Sequence, residues 1–393
     1  MTRRVTALHF VAMPSRASQW LAPQLSEMDA ALKSLVELNS FSGNPTGGRL
    51  VGEVLLQLLS LPGLEAEVVT SQQYADHLVF RSKGLPGAAP ISLLGHLDTV
   101  FPPGVFEGYR TDASRRRGPG VYDMKGGLVV IAWALKAIAA TEGLDSIAPL
   151  RVVIVADEEV GSPEGAGVIR RVISGSQACL VFEPGRSNDS VVTQRKGTGS
   201  VRAVARGKAS HSGNAYWEGA NAIWSLARFV DAAQALSSRE TGATVNVGTI
   251  SGGTSKNTVP AEAVAGVDLR YLSSDDGARL VTELQALAAK IALPGTTVTI
   301  ENGPQRPPMG RLPGTQALVD AYSAAAKSFG LGAGEAPLQG GGSDGNTAAA
   351  LGIATIDALG PRGSGLHTLD EVIDASTLVP RAQALAEILT QSR

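Results

Sequence analysis

The chain has 393 residues, of which 44% are hydrophobic and 18% charged, a balance that buries a large core and excludes a disordered chain. At about 100–200 residues per domain, this length suits two domains. The formal charge of -2 and pI near 6.2 give no electrostatic drive toward nucleic acid or an anionic membrane, and the single cysteine, Cys179, excludes an intramolecular disulfide.

The start, Met1 to Ala17, carries Arg3 and Arg4 before a short apolar patch broken by His9, which makes a poor signal peptide. No apolar run approaches the roughly 20 residues of a bilayer span, so the expected location is cytoplasmic. From Met28 to Leu38 apolar positions recur at helical spacing, and residues 39–48, rich in Gly, Ser, Asn and Pro, predict a loop before another helix. Strands follow at Glu65–Thr70, His77–Arg81 and Ile91–Gly95, then helix Met124–Ala140, strand Leu150–Ala156, helix Gly165–Ile173 and strand Ala178–Phe182. Strands alternating with helices predict an α/β fold with a mixed, largely parallel sheet covered by helices on both faces. Cys179, in the apolar run 178–181, is expected in the core, and the only basic run, Arg115–Arg117, is expected to be a solvated loop.

After Glu183 the rhythm changes to strand Ser200–Arg206, helix Ala220–Ala235, strands Thr244–Ile250 and Ala263–Tyr271, helix Asp275–Ala292 and strand Thr296–Ile300. This is the βαββαβ order of a ferredoxin-like unit, for which about 100 residues suffice. Residues 304–313, with four prolines, predict a return linker, after which helix Gly314–Ser328, strand Ile353–Leu359 and helix Ser376–Leu389 resume the α/β pattern. The expected organisation is therefore a domain split into residues 1–194 and 304–393, with a second domain, 195–303, inserted. No internal repeat or low-complexity segment interrupts it.

Open α/β sheets bind ligands beyond the carboxyl ends of their strands, and the acids and histidines of this chain collect at such ends. His96 and Asp98 follow an apolar strand two residues apart, so both point to one side: His96 can bind a metal while Asp98 orients its ring. Asp123, in Gly118-Pro119-Gly120-Val121-Tyr122-Asp123-Met124-Lys125-Gly126-Gly127, starts a helix, where an N-cap is the plain reading and bridging two cations the chemical one. Asp157, Glu158 and Glu159 leave a buried strand in succession, which is costly without compensating positive charge. On an extended chain the two glutamates face opposite ways, so one can ligate a metal while the other approaches the attacking water. Glu183 follows another apolar strand, and His367 sits in a glycine-rich loop. Two histidines and three carboxylates, with Glu158 to spare, match the mixed ligation accepted by divalent zinc, cobalt or manganese. His77 and His9 are read as structural.

These segments, in order, resemble the zinc exopeptidase and deacylase family of glutamate carboxypeptidase, acetylornithine deacetylase, succinyl-diaminopimelate desuccinylase and aminoacylase. The likeness covers nearly the whole chain through Gly95-His96-Leu97-Asp98-Thr99-Val100, the segment around Asp123, Asp157-Glu158-Glu159-Val160-Gly161, Phe182-Glu183-Pro184 and Gly365-Leu366-His367. The resemblance implies that Asp123 bridges two metals, with His96 and Glu183 completing one site and Glu159 and His367 the other, and that Glu158 is the general base. It also implies that the inserted domain is a lid and often a dimer interface. There, His211 in Gly207-Lys208-Ala209-Ser210-His211-Ser212-Gly213 would polarise the scissile carbonyl, often from the partner subunit. Asn257 and Arg270 resemble lid positions that hold substrate, although a surface ion pair with Asp268 or Glu262 also explains Arg270.

The expected function is two-metal hydrolysis of the amide bond of an N-acyl amino acid or the C-terminal residue of a small peptide, on a homodimer. Two cations bridged by Asp123 would lower the pKa of a shared water, and Glu158 would take its proton and return it to the leaving amine. The Phe182-Glu183-Pro184 form leans toward the glutamate carboxypeptidase branch, but residues 185–193 offer only Arg186 where glutamate-preferring members carry a lysine. The competing readings are a deacetylase or desuccinylase of amino-acid biosynthesis, a catalytically silent metal or amino-acid binder, against which Glu158 argues, and a structural metal site, against which the carboxylate-rich ligands argue.

Overall fold

The protein is described from a computed structural model over residues 14–391, so most of the N-terminal segment, with His9, lies outside the described residues. Six strands, Leu64–Val69, His77–Ser82, Leu150–Val155, Ile91–His96, Ala178–Val181 and Ala354–Ile356, form the main sheet in that spatial order. The first two pairings are antiparallel and the other three parallel. Alternation along the strands divides the core: Val152 and Ile154 pack on one face with Leu128, Ile131 and Leu385, while Val153 and Val155 pack on the other with Ile169, Val172 and Cys179. Helices Gly126–Thr141 and Leu378–Gln391 cover the first face, and Gly165–Ile173 and Asp344–Ala350 the second. The fold is thus the mixed, helix-covered α/β sheet expected.

The segment Val121–Thr141, 21 residues with mean hydropathy 1.4, is long and apolar enough to cross a membrane, contrary to the sequence reading. With 78% of its window buried in the protein, it is the central core helix.

Residues from Gly197 to Arg306 carry a separate antiparallel sheet ordered Thr244–Gly252, Glu262–Tyr271, Gly197–Arg206, Thr297–Arg306. Helices Ala222–Gln234 and Ser274–Ile291 pack on it through Leu226, Phe229, Leu280 and Leu284, so it has its own core. The last strand runs past Pro304 into the expected linker. A register shift between Asn302 and Gln305 admits a proline that regular pairing would reject.

Two local expectations are corrected. Arg115–Arg117 is a strand, not a solvated loop: it pairs with Val372–Asp374, and Arg116 donates to Asp29 at 2.6 Å. Residues 158–160 are a single 3₁₀ turn rather than an extended continuation of the strand, because Asp157 turns inward and accepts the N–H groups of Glu164 and Gly165.

Candidate metal centre and active site

Strand ends and loops deliver five candidate ligands to one place. His96, the last residue of its strand, lies with its Nε2 3.1 Å from Asp123 Oδ1 and 3.8 Å from Glu183 Oε1. His367 places its Nε2 3.2 Å from Asp123 Oδ2 and 3.1 Å from Glu159 Oε2. The two oxygens of Asp123 therefore face different histidines, and each histidine has its own glutamate.

Asp123 is not an N-cap. It sits at φ -119° and ψ 93° in an irregular turn, Val121–Lys125, ahead of helix Gly126–Thr141, and its peptide to Met124 is cis. Its N–H and those of Gly120 and Tyr122 go to the carboxylate of Glu371, a residue the motif reading passed over because no apolar strand leads into it. Asp98 lies behind the cluster. Its backbone oxygen is 3.0 Å from His96 Nδ1, its nearest carboxylate oxygen 3.4 Å away, and its carboxylate accepts the N–H groups of Glu158 and Glu159 and the Ser42 hydroxyl. It thereby sets both the ring of His96 and the glutamate turn.

Burial and crowding shape the electrostatics. Burial, reinforced by the Asp123 charge, pushes Glu159 up to about 8, and the same causes push Glu183 well above the usual carboxylate range. Hydrogen bonds to Asp123 and Glu159 raise His367 to about 10. Three buried carboxylates so close together call for more positive charge than two imidazoles supply. Two observations test whether divalent metal fits it. Ligand atoms of His96, Asp123 and Glu159 lie within 4.8 Å of one another, and the buried Glu183 Oε1 has no hydrogen-bond partner. The imidazole and carboxylate donors fit divalent metal.

Beside the cluster lies a cavity of about 480 Å³ whose lining includes Glu158, Glu159, His367, Arg270, Arg306 and Gly342. Arg306 is the second functional candidate that sequence reasoning missed, since it sits among prolines read as a linker. Its guanidinium donates to Glu158 Oε1 at 2.5 Å and to the Glu158 carbonyl and Ser162 Oγ at 2.8 Å each, and it lies 3.7 Å from Asp344. Arg270 forms the ion pair with Asp268 foreseen as its alternative, at 2.8 Å through two nitrogens, and also donates to the Gly340 carbonyl at 3.3 Å. It joins lid and glycine run while lining the cavity.

His211 and Asn257 are not brought there. Both are exposed: His211 is on strand Ser210–His211, and Asn257 directly precedes its partner Thr258–Val259, its carbonyl accepting the Ser212 N–H. Neither lines the cavity, and nor does Arg186.

A cluster of buried carboxylates with one buried and one half-exposed imidazole, opening onto a cavity lined by a further glutamate that is paired with an arginine, defines a metal-dependent amide hydrolase. The chain belongs to peptidase family M20/M25/M40, whose model matches residues 92–391. It is 28% identical over 367 residues to carboxypeptidase G2 of Pseudomonas sp. strain RS-16, covering 91% of this chain and 87% of that protein. In fold it is similar to a tripeptidase from Staphylococcus aureus, with a TM-score of 0.75, 21% identity and coverage of 94% and 98%. It is also similar to the Bacillus subtilis protein YXEP, described as a dinuclear metal binding peptidase, with a TM-score of 0.67, 15% identity and coverage of 94% and 98%.

Proposed function

We propose that this chain hydrolyses the amide bond of an N-acyl amino acid or of the C-terminal residue of a small peptide, using two divalent ions, zinc in the first instance. The observation that carries this reading is Asp123 with its two oxygens turned to His96 and His367, each at 3.1–3.2 Å. His96 and Glu183 would hold one ion and Glu159 and His367 the other, with Asp123 between them. When bound, the ions supply Lewis acidity and a water acidic enough to lose its proton near neutrality.

Glu158, which lines the cavity beside the cluster and is not among the candidate ligands, would take that proton and pass it to the leaving amine. Arg306 holds its carboxylate at the cavity wall. Arg270 and Arg306 are the two guanidiniums of the cavity, and a substrate carboxylate would form directed, charge-assisted pairs with them. Since Arg186 lies elsewhere, glutamate preference is not part of the proposal. Asn257 and His211 would join from the lid, His211 from a partner subunit to stabilise the oxyanion, within a cytoplasmic homodimer. Support for dimerisation comes from Trp217, 92% exposed, and from strand Thr244–Gly252, which among the described residues pairs along one side only.

The test is metal analysis of the purified protein together with hydrolysis of N-acetyl, N-succinyl, N-benzoyl and glutamyl-linked amino acids. Two bound ions and turnover of at least one substrate are expected. A protein that takes up no zinc, cobalt or manganese, or that cleaves none of these substrates when loaded, would end the proposal. Preference for the acyl group over the released residue would favour the biosynthetic deacylase reading.

A further inference from the structure

Glu371 is one of the most completely buried carboxylates among the described residues, with no exposed surface; it does not line the cavity and, among those residues, bonds directly to no cation. Its oxygens instead accept three backbone N–H groups from one turn: Oε1 takes Tyr122 at 2.8 Å and Asp123 at 2.9 Å, and Oε2 takes Gly120 at 3.1 Å. That turn cannot satisfy these groups internally. Gly120 is left-handed at φ 74°, and Asp123 and Met124 depart from helical angles at φ -119° and -132°. A buried N–H without an acceptor is a large penalty, so the turn holds this shape only while an acceptor stands where Glu371 stands.

Glu371 also lies four residues after His367. The loop between them is closed by the Thr368 N–H to the Gly365 carbonyl at 3.0 Å and the Glu371 N–H to the Thr368 carbonyl at 3.3 Å. Gly365 has φ 79°, and a Cβ there would stand 2.3 Å from the Asp370 carbonyl oxygen, so the loop is tightly determined. One short loop thus carries His367 at one end and, at the other, the carboxylate that fixes the backbone of Asp123. His367 and Asp123, 244 residues apart in sequence, are set against each other by this strut.

We propose that Glu371 is a positioning residue for the dinuclear centre: it sets the Asp123 carboxylate between His96 and His367 by anchoring the N–H groups of Gly120, Tyr122 and Asp123. The inference rests on the dinuclear reading above. Residues that orient metal ligands from outside the coordination sphere cost about 10–100-fold in metal affinity or activity when removed. Because Glu371 is outside the cavity, its loss should fall on metal binding and kcat, not on KM.

The experiment titrates metal-free wild type, Glu371→Gln and Glu371→Asp with cobalt(II) ions, following visible absorption, and measures kcat and KM after loading. Glu387→Gln is the control. Glu387 is also a buried carboxylate that accepts a backbone N–H and a hydroxyl, from Ser15 and Ser18, but it lies on the C-terminal helix. The expected result is that Glu371→Gln, folded by circular dichroism, binds the second cobalt about 10–100-fold more weakly with changed absorption bands and loses kcat with KM within about twofold. Glu371→Asp should fall between Gln and wild type, and Glu387→Gln should bind like wild type. A cobalt isotherm and kcat in folded Glu371→Gln equal to wild type would overturn the proposal, as would equal losses in Glu387→Gln. A failure of wild type itself to bind two cobalt ions would instead remove the functional reading on which the inference depends.

Discussion

At the scale of single residues, the cluster is held together in the absence of metal by protons. Asp123 is kept well below the usual carboxylate range by the two histidines that donate to it, while His367 stands at about 10 and Glu159 at about 8. At pH 7 the metal-free site therefore retains protons on groups that must lose them to ligate. Metal uptake should release protons, and affinity should rise with pH until His367 and Glu159 have both titrated, at about 10 and 8. Zinc titrations in buffers of different ionisation enthalpy, at pH 6, 7 and 8, read this directly; a heat independent of buffer would contradict it. Glu158 is expected to behave differently from these ligands. Glu158→Gln should keep both ions and lose about 10²–10⁴-fold in kcat, because only the proton carrier is removed. Near-normal turnover in that variant would take Glu158 out of its assigned role.

At the scale of elements, the core helix Gly126–Thr141 reaches the site because its first two residues are glycines. A Cβ on Gly127 would stand 2.2 Å from the Phe182 carbonyl oxygen, and Phe182 immediately precedes Glu183. Gly127→Ala must push the helix start from the strand end. It should cost about 1–3 kcal/mol in urea denaturation and lower zinc content by moving Glu183. Unchanged stability with full metal would show the contact to be slack. The short turn at 158–160 is the other decisive element. Asp157 caps helix Gly165–Ile173 and Asp98 receives the two glutamate N–H groups, so neighbouring acids diverge by hydrogen bonding rather than by strand alternation.

At the scale of the whole molecule, the lid's fixed points are the crossings near Arg195 and Arg306. Arg195 and Met309 exchange backbone hydrogen bonds, and the Asn346 amide donates to the carbonyls of Lys196 and Pro307, so one side chain clasps both crossings. On the same chain His211 stays outside the cavity. If His211 acts on a partner's site, mixing inactive Glu158→Gln with inactive His211→Ala should restore activity. With random exchange in a twofold dimer, about a quarter of wild-type activity is expected, since half the dimers are mixed and each has one complete site. No recovery after verified subunit exchange would place His211 in its own chain's chemistry or in none.

Much of this was legible in the sequence, and for a common reason. The order of strands and helices rests on periodicity among near neighbours. His96, Glu159 and Glu183 stand just past apolar strands, Asp123 before a helix and His367 in a glycine-rich loop, and the family resemblance joined the five into one ligand set. Sequence alone therefore determined the layered α/β architecture and nominated the ligands. Only the tertiary structure decided which histidine each oxygen of Asp123 faces, which arginine meets Glu158 and which carboxylate supports the Asp123 turn. Those pairs are separated by 148 residues for Arg306 and Glu158 and 248 for Glu371 and Asp123. No local pattern encodes them, because hydrogen bonds between distant loops exist only once packing of the core has brought the strand ends together.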